Sequence, residues 1–262
     1  MSNESQENPT KMNEHDPLEA FRQECQQRVA SYPGQPIADA ARAFVRESTQ
    51  PKYSYNFSWL GRPIIQYPQD MVAMQELIWT IQPDLIIETG IAHGGSLIFS
   101  ASILELCALC GGPTDSQVVG IDIDIRQHNR KAIEEHPMAR RISMIQGSSI
   151  APEIVDQVVQ LASGKRKVLV CLDSNHTHDH VLAELEAYAD LTSVGSYCVV
   201  FDTIVEELPG EMYPDRSWGP GNSPQSAVHA FLESRDDFEI DTSIDHKLLI
   251  SVAPQGYLRR VK

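Results

Sequence analysis

The feature that most constrains this chain is a regular alternation between residues 71 and 202. Five apolar runs, "DLIIETG", "QVVGIDID", "RISMIQGS", "KVLVCLDS" and "SYCVVFDT", are preceded by a stretch of helical pattern at 71–81 and separated by others at 94–110, 126–135, 152–161 and 178–191. Strands alternating with helices of about ten residues make βαβ units, and βαβ units make a parallel sheet covered by helices on both faces. An α/β domain follows, with its ligand crevice beyond the carboxyl ends of the strands.

The flanks read differently. Residues 1–16 are polar and disordered by composition. Residues 17–70 read as a helical and aromatic cap, with Leu18, Phe21, Val29, Ala41, Phe44 and Val45 as candidate core contacts. Its stretch "YSYNFSWLGRPIIQYP" fits either a cap packed over the domain or one wall of a substrate pocket, since pockets too are lined by aromatic side chains. Residues 71–262 form the main domain. Within it, 204–224 is dense in proline and glycine, without periodicity, and reads as a lid loop. A helix at 225–234 and two closing strands, "FEIDTS" and "KLLISVAP", are expected to end the domain as an antiparallel hairpin at the sheet edge.

A formal net charge of −15 argues against nucleic acid or an anionic membrane as the main partner. No apolar run approaches the roughly 20 residues of a membrane span, and the polar start resembles no signal peptide. A soluble, cytoplasmic protein is expected. The five cysteines are an odd number, and Cys171 and Cys198 sit inside strand-like runs, a pattern of buried thiols in a reducing compartment. Cys107 and Cys110 form a C-x-x-C with no second pair at zinc spacing. Enzymes of this size are commonly dimeric, so a homo-oligomer is compatible with the chain.

Every strand end carries an acidic or small polar residue. Glu88 closes the first and leads into "TGIAHGGS"; Asp122 and Asp124 close the second; Gly147, Ser148 and Ser149 the third; Asp173 the fourth; Asp202 the fifth. The glycine loop lacks the ending of a P-loop, and Gly90, Gly94 and Gly95 do not fit G-x-G-x-x-G. An acid at the strand end would repel a pyrophosphate and favour a cationic ligand, such as the ammonium and sulfonium of S-adenosylmethionine. Asp122, one βαβ repeat later, is placed to accept hydrogen bonds from ribose hydroxyls. The candidate cofactor residues are therefore Glu88, Gly90, Ile91, His93, Gly94, Gly95, Ser96, Asp122, Asp124, Ser148, Ser149 and Asp173.

Five stretches, "ETGIAHGGSL", "VVGIDIDIRQHNR", "LDSNHTHDHVLAELEAYADL", "GSYCVVFDT" and "RSWGPGNSP", resemble the cephalosporin hydroxylase / rhamnosyl O-methyltransferase family. These are class I S-adenosylmethionine-dependent methyltransferases, similar to antibiotic-sugar O-methyltransferases and more distantly to catechol O-methyltransferase. The resemblance covers roughly residues 55 to 255. It implies a doubly wound, Rossmann-like, mostly parallel seven-stranded sheet with an antiparallel final strand. It also implies S-adenosylmethionine as cofactor, frequently with magnesium, and a sugar or glycoside as acceptor. Asp173 matches a metal ligand, Asp202 a second ligand, and His176 the general base. The residue before Asp202 is usually acidic in the family and is Phe201 here, which counts against magnesium.

Those residue types suit methyl transfer. A sugar hydroxyl does not ionise at neutral pH unaided; a hard cation can acidify it, and an imidazole can accept its proton. In the substrate lid, Arg216 could meet a phosphate, Trp218 could cover a ring, and Asn222 is a third candidate contact. Two other readings stay open. A non-catalytic cofactor-binding partner of a biosynthetic enzyme would account for Phe201. An iron hydroxylase would need two histidines and a carboxylate, yet no H-x-D or H-x-E occurs. A zinc site pairing His176 with His180 lacks the glutamate of H-E-x-x-H, leaving His178 and His180 as structural or capping residues.

Overall fold

The computed structural model describes residues 17–262; the polar stretch read as disordered lies outside the described residues. In chain order the elements are α1 (Pro17–Ser31), α2 (Pro36–Thr49), β1 (Phe57–Trp59), β2 (Arg62–Ile64), α3 (Pro68–Ile81), β3 (Leu85–Thr89) and α4 (Gly95–Leu109). They continue with β4 (Gln117–Asp122), α5 (Gln127–Glu134), β5 (Ile142–Gln146), α6 (Pro152–Ala162), β6 (Val168–Leu172) and α7 (His178–Tyr188). The last are β7 (Tyr197–Val200), α8 (Pro224–Glu233), β8 (Phe238–Ile240), α9 (Thr242–Leu248) and β9 (Tyr257–Arg260). Local chemistry sets several of these ends. Proline opens α2, α3, α6 and α8, where its missing N–H is one no helix could use. Ser223 and Ser226 form a capping box on α8.

Seven strands form one sheet in the order β5-β4-β3-β6-β7-β9-β8. The pairs from β5 to β7 are parallel, whereas β9 runs antiparallel to both β7 and β8. The expected doubly wound sheet with an antiparallel final strand is found. Both β3 and β6 are buried along their whole length, as parallel strands covered on two faces must be. Ile86 and Leu169 face α3 and α4 with Ile78, Leu97 and Ile98, while Ile87, Val119 and Val170 face α7 and α8 with Leu185, Tyr188 and Val228. Each fully buried aliphatic side chain of this kind contributes about 1.5–3 kcal/mol.

The closing segment differs from its expected form. "KLLISVAP" is no strand: its first two residues end α9 and the rest is irregular, with the final strand beginning at Tyr257. Backbone groups there are taken by side chains instead of a ladder. The fully buried Asp70 accepts from Val252 N at 2.9 Å and Ser251 Oγ at 2.6 Å, and Asp245 accepts from Gln255 N at 2.9 Å. The expected hairpin between "FEIDTS" and "KLLISVAP" is therefore not formed: β8 pairs antiparallel with β9 instead, and α9 lies between them.

The N-terminal elements also depart from expectation. No residue of α1 is buried, and Leu18 and Phe21 are exposed, so only Ala41 and Val45 of the candidate contacts enter the core. The aromatic stretch folds into the β1–β2 hairpin and docks on α4. Trp59 donates to Ser102 Oγ at 2.9 Å and packs edge-on against Phe99. Gly95 permits this close approach, since a Cβ there would lie 2.1 Å from the Pro63 carbonyl oxygen.

Candidate active site

Strand order reverses between β3 and β6: the chain builds outward to β5 on one side, then returns to start β6 on the other. Crevices at such switch points hold ligands in open α/β sheets. Here the two strand ends touch. A Cβ on Gly90 would lie 2.0 Å from the Asp173 carbonyl oxygen, so only glycine allows the glycine loop to lie against β6 at its positive φ of 90°.

The register then fixes what meets there. Leu172 pairs with Val200, and Phe201 N donates to Leu172 O at 2.9 Å, which brings the segment after β7 beside Asp173. Asp202 adopts a left-handed backbone (φ 54°), a conformation aspartate tolerates better than most residues. His176 follows β6 in the loop before α7. Its Nε2 lies 3.2 Å from Asp202 Oδ2, while its Nδ1 is buried without a partner. One donor atom from each of Asp173, His176 and Asp202 lies within 4.8 Å of the others, the one such group among the described residues. Two carboxylates and an imidazole are a donor set that could hold a divalent ion. They do not supply the two histidines of an iron oxygenase triad. Phe201 points to the buried side and joins the core, so the remaining donors are those three.

These groups line a cavity of about 380 Å³ together with Gly90, Ile91, Ala92, His93, Gly95, Ser96 and Asp122. Its opposite wall is the aromatic stretch, including Tyr55, Pro63 and Tyr67, and Tyr213, Arg216 and Trp218 close it from the lid. The aromatic stretch is thus a wall of the pocket. Trp218 meets the His176 ring edge-on at 5.6 Å between centroids, with Arg216 over its own ring at 5.7 Å. A smaller chamber of about 30 Å³ adjoins, lined by Glu88, Ser96, Asp173, Phe201, Asp70 and Gln66.

Not every candidate reaches the cavity. Asp122 does, with its oxygens accepting from Ile91 N at 2.8 Å, Ala92 N at 3.2 Å and Asp124 N at 3.0 Å, so it also shapes the glycine loop. Glu88 lies in the smaller chamber, hydrogen-bonded by Ser96 Oγ. Asp124 faces outward toward Arg126, and Gly94 packs against Ile133. Ser148 is not among the lining residues, and Ser149 meets His180 Nε2 at 3.1 Å. Asn222 is a loop staple, accepting from His178 N at 2.8 Å and donating to Ser217 O at 2.6 Å. With Glu206, which accepts from Gly221 N and Ser223 Oγ, it gives the lid a fixed shape that its lack of periodicity does not reveal.

His178 meets Ser226 Oγ at 2.9 Å and His180 meets Ser149, Ser174 and Glu184, so neither joins His176. Cys107 and Cys110 are free thiols, one buried and one exposed. Sequence reasoning missed Arg62 and Asn129. Arg62 donates to His93 O at 2.9 Å and to Asn129 Oδ1 at 2.9 Å, and Asn129 donates to Ala92 O at 2.8 Å, clamping the glycine loop from the hairpin and α5. Arg62 lies inside the aromatic stretch and Asn129 inside "VVGIDIDIRQHNR", but no local pattern marks either as a clamp.

The electrostatics are unusual for an acidic cluster. Burial pushes Glu88 up to about 7, against the opposing Ser96 hydrogen bond, and Asp70 up to about 6. The Asp173 carboxyl is held well above the carboxylate range by desolvation first, then by the charges of Asp202 and Glu88. A positive ligand in the crevice would relieve the repulsion of Asp173 by Asp202 and Glu88.

The fold and the crevice define a Rossmann-like α/β protein with a cofactor-sized cavity at its switch point. Residues 51–261 match the family model described as Rhamnosyl O-methyltransferase/CmcI. Rhamnosyl O-methyltransferase of Mycobacterium tuberculosis (strain ATCC 25618 / H37Rv) is 33% identical over 199 residues, covering 73% of this chain and 73% of that protein. The Mycobacterium leprae (strain TN) protein of the same name is 31% identical over 207 residues, covering 78% of this chain and 82% of that one. The chain belongs to the Rhamnosyl O-methyltransferase/CmcI family. In fold it is similar to an apo structure of CmcI (TM-score 0.53, 22% identity, 79% of this chain and 77% of that one). It is likewise similar to the O-methyltransferase TomG from Streptomyces achromogenes in complex with SAM (TM-score 0.52, 18% identity, 87% and 91%). No helix among the described residues is long and apolar enough to cross a membrane.

Proposed function

We infer that this chain is an S-adenosylmethionine-dependent O-methyltransferase acting on a hydroxyl of a sugar or a glycosylated small molecule. The observation that carries the reading is the meeting of Asp173, His176 and Asp202 at the mouth of the glycine cradle, in one cavity with the aromatic wall. The names of its relatives support the sugar, and the aromatic lining suits a sugar ring's apolar face. The free thiols agree with a cytoplasmic setting, and residues 17–70 serve as the cap of the 71–262 domain.

The residues present fit the groups this reaction uses. Gly90 lets the glycine loop close onto the Asp173 backbone, Asp122 lines the cavity, and the orphaned His176 Nδ1 faces no protein partner. S-adenosylmethionine, when bound, supplies an electrophilic methyl group on a sulfonium, and magnesium supplies a hard charge that eases loss of a hydroxyl proton. Asp173 and Asp202 would hold the ion. His176, whose Nε2 lies beside the Asp202 carboxylate, is the imidazole that would take the acceptor's proton. Trp218 shields that imidazole, and Tyr55 and Tyr67 hold the acceptor ring in place, so positioning contributes alongside proton transfer.

Calorimetry with S-adenosylhomocysteine tests the cofactor assignment. One-to-one binding is expected, weakened by a Gly90→Ala change; no binding to the wild-type chain would overturn it.

A further inference from the structure

We propose that the acceptor carries an oxyanion, a phosphate or a carboxylate, which Lys52 of the N-terminal cap and Arg216 of the lid hold together at the mouth of the cavity. The proposal rests on the methyltransferase reading above and narrows its acceptor to an acidic sugar.

The chain has 36 Asp and Glu against 21 Lys and Arg, so a cation without a carboxylate partner is the less expected state. Arg46, Arg141, Arg235 and Lys247 each hold a carboxylate. Among the described residues, Lys52 and Arg216 hold none. Each lies over an aromatic ring instead: Lys52 Nζ 5.6 Å from the Tyr55 ring centre, the Arg216 guanidinium 5.7 Å from that of Trp218. A ring face holds a cation without cancelling its charge, and leaves N–H donors to offer. Both rings and both cations line the one cavity.

Local structure puts each cation there. Lys52 takes a left-handed backbone (φ 56°), uncommon for a lysine, and accepts from Tyr55 N at 3.0 Å, so a single turn sets the ammonium beside its ring. Arg216 N donates to Tyr213 O at 3.1 Å, and Tyr213 packs on Trp218 at 5.0 Å between centroids.

The cavity is therefore polarised. Asp122, Asp173 and Asp202 stand at the sheet edge, and the two unpaired cations come from the cap and the lid. An anion is repelled from the first and drawn to the second, which turns the rest of the acceptor inward. Trp218 meets both the His176 ring and Arg216, so a sugar laid along the indole spans from imidazole to guanidinium. A neutral glycoside makes no use of either cation.

The test is calorimetry on the chain saturated with S-adenosylhomocysteine. Its probes are methyl glucoside, methyl glucuronide, glucose 1-phosphate and uridine diphosphate glucose. The anionic probes should bind at least about tenfold more tightly than the glucoside, with an advantage that shrinks as salt rises. Phosphate probes tighter than the glucuronide identify phosphate as the anion; the reverse order identifies carboxylate. Lys52→Gln and Arg216→Gln should each cut the anionic-to-neutral ratio about tenfold, the size of one charged hydrogen bond. Lys52→Arg should keep most of it, which a purely structural role for the lysine does not predict. Equal affinity for neutral and anionic probes, or a ratio unchanged in both glutamine variants, would overturn the proposal. Failure of the wild-type chain to take up S-adenosylhomocysteine is seen before any sugar is added; it overturns the methyltransferase reading, and the proposal with it.

Discussion

His176 Nε2 lies 3.2 Å from Asp202 Oδ2, although the two residues follow different strands and are 26 positions apart (202 − 176). The contact sets a carboxylate charge beside the imidazole that is to receive a proton. Asp202→Asn keeps the shape but removes that charge. The expected result is a fall in kcat of roughly 10²–10⁴-fold, by analogy with triads that lose their orienting carboxylate, with S-adenosylhomocysteine affinity within about twofold. Steady-state kinetics and calorimetry together check it.

The acidic corner should also bind magnesium. Titration calorimetry with MgCl2 should give one site on the wild-type chain, lost in Asp173→Asn. Restoring a carboxylate with Phe201→Asp should not tighten that site, since Phe201 packs in the core and the chamber; it should destabilise the fold instead, by about 3 kcal/mol or more.

Much of this site was legible in the sequence because strand ends are legible. Once "DLIIETG", "QVVGIDID", "KVLVCLDS" and "SYCVVFDT" are read as parallel strands, topology alone brings Gly90, Asp122, Asp173 and Asp202 to one edge. Residues whose roles depend on long-range partners were not legible. Asp70, 181 and 182 positions from Ser251 and Val252, removes "KLLISVAP" from the sheet through contacts no local pattern encodes. Asn222 has the composition of a lid contact and is a staple, because its partner His178 N is 44 residues away.

Glu88 supplies a pH prediction. Its folded value of about 7 exceeds the ordinary 4.5, so the folded state binds more protons than the unfolded one between those values. Stability of the cofactor-free protein therefore falls as pH rises through that window, by an amount on the order of 3 kcal/mol from this group, and levels off above it. Glu88→Gln should remove that part of the slope. Urea unfolding of both proteins from pH 4 to pH 8 measures the difference, and parallel profiles would exclude the effect.

Gly95 tests the docking of the hairpin. Gly95→Ala drives a methyl into the Pro63 carbonyl and should destabilise the protein by about 1–3 kcal/mol. Because the hairpin also walls the cavity, cofactor affinity should fall with it. Chemical denaturation and calorimetry on one preparation test both effects.

The most direct measurement is methyl transfer itself, comparing wild type with His176→Ala. Each protein is incubated with S-adenosylmethionine, magnesium and a panel of sugars and glycosylated acceptors, and S-adenosylhomocysteine and O-methylated product are counted by mass spectrometry. The account predicts matched amounts of both products from the wild type and at least about a hundredfold less from His176→Ala, whose cofactor affinity stays near wild type. Equal turnover by His176→Ala would contradict it.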